Sequence, residues 1–531
     1  MIRRRPTTND ANSYKADDDK LGKQLLFTTS SQQHSTQTPK PMVSNLVVCI
    51  IVIVFVGAGV VQNRYQESHN DFHSGSGTDK TVAQSSQRRK TSFLQQSLLT
   101  PEEDEMLQTD ERGNRYHLVF STDCSPYQHW QSFLVYYTAL KVRQPGQVTR
   151  IASGCDPEQA KAMQRWFDQD VQFMSKRYHL QMTPHFSGVK NEAGETVADY
   201  KFFNKPFGFL YWLEHSPQLH YSASDSEFPK DFQNDIVILI DPDMGLLRPI
   251  TADFSDERET VVSPRRREHG VLATNVGPGH PFAQVYGFGT QWARLDLEKI
   301  AGAGSQARNI SKEDGQLFYP VGPPYIGTIS DMHRIALKWT AFVPRVYEQY
   351  PHLLAEMFAF CIAAADEELP FQLIDSLMIS KTDASGEGWP LVDRIPPDEV
   401  CDFASDLDPS KYAVPSVVHL CQRYWLGKDW FFSKRKIPSD IYDCETPLFE
   451  EPPSDLGVLY DYKWAWNGRK QMVTPTEANR EAFLLCFLFR LLNDAATFYK
   501  QNTCPPDSIN LEKSRNLVAY LKAKSRHTET K

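Results

Sequence analysis

Apolar and polar residues along the middle of the chain follow patterns that favour strands and helices in turn. Apolar runs at residues 116–123 (YHLVFSTD), 148–154 (VTRIASG) and 235–240 (DIVILI) predict buried strands. The last run is continuous and β-branched, which is typical of a strand covered on both faces in a parallel sheet. Apolar residues at helical spacing predict helices at 158–178 and at 205–214. Alternating strands and helices predict a layered α/β domain.

Two later segments are apolar enough to predict buried helices. Residues 352–366 (HLLAEMFAFCIAAAD) enclose Glu356, and residues 479–500 form a C-terminal helix that Arg490 and Asp494 interrupt. Because of those two charges we do not interpret 479–500 as a membrane span. Residues 381–416 and 436–475 are rich in Pro and Asp and predict connectors.

Residues 43–61 (VSNLVVCIIVIVFVGAGVV) contain no charged side chain and are long enough to cross a bilayer as a helix. A signal peptide is the main alternative, but its apolar region is shorter and lies closer to the N-terminus. The preceding residues contain more Lys and Arg than Asp, which favours a cytosolic tail. We therefore predict a single-pass type II anchor, with the later residues in the lumen of the Golgi or the ER.

This topology predicts five parts along the chain. Residues 62–112 are rich in Ser, Gln, Thr and charge, so they cannot bury enough apolar surface to fold alone. We interpret them as a disordered stem that holds a globular domain away from the membrane. The predicted parts are a cytosolic tail (1–42), the transmembrane anchor (43–61), the stem (62–112), the globular domain (113–505) and a C-terminal tail (506–531).

Composition narrows the class of protein. The net charge of −9 argues against nucleic-acid binding, which normally needs a basic face. Eight cysteines follow the predicted anchor, and in an oxidising lumen some of them would pair, with many pairings possible. The sequence Asn309-Ile310-Ser311 is an acceptor for N-glycosylation, and it would face the lumen in this topology.

Two aspartates follow the most apolar predicted strand, in residues 238–245 (ILIDPDMG). In α/β sheets, ligands gather at the carboxyl ends of the strands. Asp241 and Asp243 lie two positions apart, so in extended backbone their side chains can point the same way. Hard divalent cations take carboxylate oxygens together with substrate phosphates. The pair is either an ordinary strand-ending turn or a clamp for a metal ion and a diphosphate.

Other candidate site residues have equally open interpretations. His419 follows a short apolar run, where it is either a structural residue or a third metal ligand. Glu356 and Asp375 lie among apolar neighbours, so each either forms a salt bridge or lines a substrate cavity as a catalytic carboxylate. Lys205 and Arg150 are either solvated or meet a diphosphate.

The ordered set of these segments resembles the plant and algal hydroxyproline O-arabinosyltransferases and the related peptidyl serine α-galactosyltransferases. The resemblance implies a GT-A-like nucleotide-sugar fold with a mixed, mainly parallel sheet flanked by helices. It also implies a divalent metal (Mn²⁺ or Mg²⁺), a type II Golgi or ER anchor, and transfer that retains the configuration of the sugar. The matching stretches are residues 116–137, 144–154, 204–214, 238–250, 321–327, 356–365 and 417–425.

Carried over to this sequence, the resemblance implies that Asp241 and Asp243 take the acidic metal and nucleotide-sugar position, with His419 as the third ligand. Thr122 and Asp123 would approach the nucleotide, and Glu356 falls on an acidic position of the family. Two departures bear on the sugar: arabinosyl members tend to have Glu-Pro-Asp where this chain has Asp-Pro-Asp, and residues after His419 lack a Tyr-Gly-Cys-like pattern.

Three functions are compatible with these residues. The leading hypothesis is a lumenal, metal-dependent glycosyltransferase that moves a sugar from a UDP-sugar to a hydroxyproline or serine hydroxyl of a peptide. A phosphatase with Asp241 as nucleophile is disfavoured, because the pair lies far into the domain and is followed by Met244 and Gly245. The remaining alternative is an inactive membrane-anchored protein that binds a sugar or nucleotide.

Overall fold

A computed structural model describes residues 99–190, 194–269, 273–464 and 468–529. The predicted cytosolic tail, the anchor at 43–61 and the stem up to residue 98 lie outside the described residues. All of the described residues belong to one compact unit.

The centre of this unit is a seven-stranded sheet with the strand order β10-β8-β9-β6-β1-β2-β3. Among the paired strands, β9 runs antiparallel to both of its neighbours, and the other pairs are parallel. The predicted mixed, mainly parallel sheet is therefore confirmed. Its strands are β1 (Tyr116–Asp123), β2 (Gln147–Ser153), β3 (Tyr178–Thr183), β6 (Ile236–Ile240), β8 (Phe282–Val285), β9 (Val321–Thr328) and β10 (Gln372–Ile374).

Smaller sheets surround the central one. A three-stranded sheet joins β7 (Met244–Leu246), β11 (Met378–Ile379) and β12 (Val417–His419). The described two-stranded sheets are β4 (Gly188–Lys190) with β5 (Thr196–Asp199), β13 (Arg423–Leu426) with β14 (Trp430–Ser433), β15 (Leu448–Phe449) with β18 (Lys513–Arg515), and β16 (Tyr462–Trp464) with β17 (Lys470–Met472).

Helices cover both faces of the central sheet. The helices of the described residues are α1 (Pro101–Met106), α2 (Tyr127–Lys141), α3 (Pro157–Asp170), α4 (Asn204–His215), α5 (Pro264–Glu268), α6 (Leu297–Ala301), α7 (Lys312–Phe318), α8 (Ile329–Gln349), α9 (Ala355–Asp366), α10 (Trp389–Val392), α11 (Val400–Ser405), α12 (Leu456–Leu459), α13 (Pro475–Thr503) and α14 (Leu517–Glu529). Short 3-10 helices lie at Lys201–Phe203, Gln291–Arg294, Gln306–Asn309, Lys434–Lys436 and Pro506–Ser508.

Side-chain alternation along the strands separates two apolar layers. Leu118 and Phe120 of β1 pack with α2 and α13, whereas Val119 packs on the opposite face with α4, α8 and α9. Successive strand residues point to opposite faces, so one strand serves both layers. Because both faces are covered, the strands are apolar throughout, as all five residues of β6 illustrate.

The helix predicted at 158–178 is shorter in the structure. It begins after Asp156, whose side chain accepts hydrogen bonds from the backbone N–H groups of Glu158 and Gln159, and it ends at Asp170. Tyr178 instead starts β3, where it pairs with Val148 of β2. The apolar spacing continues past Asp170 because Val171 is buried in the intervening turn, so burial there does not require a helix.

Helix α13 is the one described helix long and apolar enough to cross a membrane, and most of its apolar stretch is buried inside the fold. It contains buried polar residues, including Glu481 and Asn493, that hydrogen-bond to neighbouring segments. These features are typical of a core helix.

Two segments assigned from sequence to the stem and the C-terminal tail are folded. Asp104 of α1 is buried and accepts hydrogen bonds from Ser175 and from Arg177, whose side chain is fully buried. At the other end, Leu517 of α14 is buried in the same core as α13. The folded unit therefore extends beyond the predicted 113–505 on both sides.

Disulfides connect six of the cysteines. The pairs are Cys124–Cys155, Cys401–Cys486 and Cys444–Cys504. Of the other cysteines in the described ranges, Cys361 is buried and Cys421 is exposed.

Candidate functional site

The candidate site lies at the carboxyl edge of the central sheet. Strand β6 ends at Ile240, which pairs with Phe120 of the parallel strand β1. Asp241 follows β6 directly, and β1 continues past Phe120 to Thr122 and Asp123. Ligands of α/β sheets bind at this edge, so the predicted residues from both strands lie where a ligand would be expected.

A second sheet brings His419 to the aspartates. The chain turns after Asp243 into β7, which pairs antiparallel with β12, and His419 lies opposite Met244. The backbone N–H of Leu420 donates to the carbonyl oxygen of Asp243 at 2.9 Å. Backbone pairing thus fixes His419 beside Asp243, although the two residues are far apart in sequence.

Asp241, Asp243 and His419 form a compact group that could hold a metal ion. His419 Nε2 lies 3.3 Å from Asp243 Oδ1 and 3.9 Å from Asp241 Oδ2. One potential ligand atom from each residue lies within 4.8 Å of the other two, and no other group of His, Cys, Asp or Glu in the described ranges meets this condition. Asp243 and His419 are buried, and Asp241 is partly open to solvent. Two carboxylates and an imidazole are a donor set that fits a divalent cation.

Two lysines flank the group. Lys205 Nζ, in the first turn of α4, lies 2.8 Å from Asp241 Oδ1 and 3.4 Å from Glu356 Oε1. Lys434, which follows β14, forms a close ion pair with Oδ2 of Asp243. The sequence predicts Lys205 as a diphosphate contact, but it does not predict a role for Lys434. The run Lys434-Arg435-Lys436 looks like a solvated basic turn in the sequence, and no local signal marks its first residue.

Glu356 lies in the first turn of α9 and is buried. Burial raises its pKa to about 7, against the opposing effect of the Lys205 ammonium. Glu356 thus forms the salt bridge of the first interpretation, with Lys205, and its role as a cavity carboxylate stays a prediction. Glu356 shares Lys205 with Asp241, one member of the Asp241, Asp243 and His419 group.

Charge pairing dominates the ionisation of the neighbouring groups. Burial by itself would raise the pKa of Asp243, but Lys434 and His419 outweigh it and hold that pKa well below its usual range. Burial would likewise lower the pKa of Lys205, but Asp241 and Glu356 outweigh it and raise that pKa. The ammonium groups and the aspartate are thus charged at neutral pH.

Thr122 and Asp123, at the end of β1, form a second group with Arg150, which lies midway along β2. Arg150 is fully buried, which lowers its pKa to about 10. Its Nε donates to Thr122 Oγ1 at 2.9 Å, and its guanidinium lies over the Trp166 ring at 5.1 Å. The Asp123 carboxylate accepts from the Ser125 N–H at 2.8 Å. Arg150 thereby braces the strand end from which Thr122 and Asp123 extend.

The two remaining predicted residues lie in other contacts. Asp375 follows β10 and pairs with Arg266, whose Nη1 is 3.0 Å away, while burial raises the pKa of Asp375 to about 6 against the effect of Arg266. Asn309 is exposed at the end of a 3-10 helix, and Ser311 of the same sequon caps α7.

No family model matches the chain. It is similar to two curated proteins, each named peptidyl serine alpha-galactosyltransferase. The Arabidopsis thaliana protein is 23% identical over 78% of this chain and 42% of its own length. The Chlamydomonas reinhardtii protein is 29% identical over 30% of this chain and 18% of its own length.

These similarities confirm the predicted resemblance. The chain resembles the peptidyl serine α-galactosyltransferases. The matched region spans less than half the length of either relative.

Proposed function

We propose that this chain is a metal-dependent glycosyltransferase that moves a sugar from a UDP-sugar to a hydroxyl of a peptide, on serine or hydroxyproline. The observation that carries the proposal is the group Asp241, Asp243 and His419 at the carboxyl edge of a mainly parallel sheet. The similarity to two proteins named for transfer to peptidyl serine supports the same reaction class. We interpret the sheet and its flanking helices as a GT-A-like nucleotide-sugar fold.

The metal-binding group would hold Mn²⁺ or Mg²⁺. Such an ion, when bound, neutralises charge that develops on the departing diphosphate. Asp241 and Asp243 offer carboxylate oxygens, and His419 offers Nε2, the ring nitrogen that faces them. Asp241 is the member of the group that remains partly exposed, with 24% of its side chain accessible to solvent.

Other residues of the chain bind and orient the substrates in this proposal. Thr122 and Asp123, braced by Arg150, line the nucleotide side of the site. Lys205 pairs with both Asp241 and Glu356. Glu356 is the candidate catalytic carboxylate. Asp375, which pairs with Arg266, is the second candidate catalytic carboxylate. Holding donor and acceptor in one orientation supplies much of the rate enhancement.

The proposed location is the lumen of the Golgi or ER, with retaining transfer and an N-terminal type II anchor at 43–61. Three disulfides suit an oxidising compartment, and the exposed Asn309 could carry a glycan there. The partners are then a UDP-sugar, a peptide or glycoprotein acceptor, and one membrane, with no nucleic acid.

The direct test is sugar transfer from a panel of UDP-sugars to Ser- and Hyp-containing peptides, with Mn²⁺ or with EDTA. The variant Asp243→Asn should lower metal-dependent transfer by about 100-fold or more, a typical loss when a group that stabilises transition-state charge is removed. Asp402→Asn, on an exposed position of α11, is the matched control. Unchanged metal-dependent transfer in Asp243→Asn would contradict the assigned role.

The inactive alternative predicts a different result. Titration calorimetry would then detect binding of UDP with Mn²⁺, while every donor and acceptor combination gave no transfer.

A further inference from the structure

We propose that the Lys434 ammonium is a resident counter-cation that a divalent metal must displace from Asp243, and that the displaced ammonium then binds the phosphates of the donor. The inference rests on the metal-dependent transferase function proposed above. It assigns to Lys434 a role in coupling the binding of metal to the binding of nucleotide.

The contacts of Asp243 carry the first step. Lys434 Nζ pairs with Oδ2, and Oδ1 lies 3.3 Å from His419 Nε2. Both oxygens are therefore engaged by groups of this chain. The Asp243 residue is only 5% exposed, so water screens its charge poorly. A divalent cation held by Asp243 and His419 would lie close to the ammonium, and the two positive charges would repel each other.

The two lysines of the site differ in how firmly they are held. Lys205 bridges Asp241 and Glu356, and its side chain is 13% exposed. Within the described part of the chain, Lys434 has one carboxylate partner, and its side chain is 22% exposed. A lysine ammonium ends a flexible four-carbon stem. Lys434 can therefore leave Asp243 by rotating its side chain, whereas moving Lys205 would strand two carboxylates.

Chemistry decides where the displaced ammonium goes. A charged group in a half-buried site is costly unless it finds an opposite charge. A metal ion bound to Asp243 takes the place of the ammonium as the partner of that carboxylate. The diphosphate of the donor is the anion that binds together with the metal ion. Lysine binds phosphate oxygens well as a point charge. Lys434 thus neutralises Asp243 before the metal and donor bind and neutralises the donor afterwards.

The exchange makes a quantitative statement about affinity. If Lys434 competes with the metal and then binds the donor, UDP must tighten metal binding through this residue, and the metal must tighten UDP binding by the same factor. Removing the ammonium should therefore raise the affinity for the metal in the absence of UDP. It should also reduce the factor by which UDP and the metal tighten each other's binding.

The test is Mn²⁺ titration of the full chain in detergent, with free Mn²⁺ measured by electron paramagnetic resonance, in the absence and presence of UDP. Without UDP, Lys434→Met should bind Mn²⁺ about tenfold more tightly than wild type, and the tightening caused by UDP should be about tenfold smaller. Lys434→Arg, which keeps a cation, should behave like wild type. Lys436→Met, an exposed lysine of the same 3-10 helix, is the matched control.

Two sets of results would overturn the exchange. If wild type and Lys434→Met have equal Mn²⁺ affinity and UDP tightens Mn²⁺ binding equally in both, the proposed exchange is wrong. The proposed metal-dependent function is unaffected by that result. Wild-type transfer that persists in EDTA and is lost in Lys434→Met would show that the ammonium replaces the metal, which contradicts both proposals. Lys434→Gln provides a second neutral variant, so a folding defect of the methionine variant, seen by circular dichroism, does not end the test.

Discussion

His419 lies directly opposite Met244 in the antiparallel ladder of β7 and β12, one residue beyond Asp243. The Asp241, Asp243 and His419 group is therefore assembled by backbone pairing between two distant segments. The Tyr424 hydroxyl donates to the His419 carbonyl oxygen at 3.0 Å and fixes the strand end further. Ligand geometry in this site depends on a short ladder, not on one continuous motif.

Replacing His419 should weaken metal binding without unfolding the chain. His419→Ala removes the imidazole but keeps the backbone ladder, so we expect Mn²⁺ affinity to fall by about 100-fold, the upper end of the losses known for residues that support a metal. Mn²⁺ titration measures this loss. His280→Ala, at an exposed position outside the group, is the control. Wild-type Mn²⁺ affinity in His419→Ala would exclude the imidazole as a ligand.

Lys205 should stabilise the fold as well as the site. Lys205→Met leaves Asp241 and the buried Glu356 facing each other without the shared ammonium. Removing one partner of a buried ion pair costs about 3–5 kcal/mol, so a loss of about 3 kcal/mol in the free energy of unfolding is expected. Urea unfolding at pH 7.5 measures it.

The double variant Lys205→Met/Glu356→Gln separates charge from packing. Glutamine at position 356 is uncharged, so it leaves no buried charge without a partner. We therefore expect the double variant to recover more than half of the stability lost in Lys205→Met. Additive losses in the double-mutant cycle would mean that Lys205 and Glu356 do not interact.

Glu481 of α13 should make stability depend on pH. Burial raises its pKa to about 7, against the effect of Lys463, from an ordinary value of 4.5. Between those two values the folded state holds a proton that the unfolded state has lost. Stability therefore falls as pH rises through this window, by on the order of 3 kcal/mol in total.

The measurement is urea unfolding of wild type and Glu481→Gln at pH 5 and pH 8. The glutamine cannot ionise, so the fall in stability between the two pH values should be smaller in the variant by most of that amount. Glu512→Gln, at an exposed position outside this cluster, is the control and should keep the wild-type dependence. Identical pH dependence in Glu481→Gln and wild type would assign the effect to other groups.

Asp104 should be essential to the folded unit although it precedes the predicted domain start. Asp104→Asn leaves the fully buried Arg177 without its carboxylate, at a cost of about 3 kcal/mol or more. Chemical denaturation measures the loss, and Glu105→Gln, exposed on the same helix, is the control. Equal stability of the two variants would place the boundary of the folded unit near residue 113.

The sequence alone predicts the strand that positions Asp241 and Asp243. A continuous β-branched run followed by polar residues is typical of a buried strand that ends in a turn. The sequence also predicts His419, Lys205 and Glu356 as site residues, and the structure brings them near Asp241. It does not predict Lys434, since the place of that residue beside Asp243 depends on how β14 packs, a tertiary relationship that no local pattern encodes.

The boundaries of elements were harder to predict than their existence. Val171 and Tyr178 continue the helical spacing of apolar residues beyond the end of α3. Only the pairing of Tyr178 with Val148 shows that a strand has begun. Similarly, the charged segment that forms α1 looks too polar to fold. It is held to the folded unit by one buried ion pair and not by apolar surface, and composition does not show such a pair.

The Cys401–Cys486 disulfide makes a covalent ring of chain that contains both His419 and Lys434. A protease that cuts once between them, at the 427–429 turn joining β13 and β14, would open the ring without dividing the molecule. The nicked protein would keep its full mass until a reductant acted. His419 would then leave on the N-terminal piece and Lys434 on the C-terminal piece.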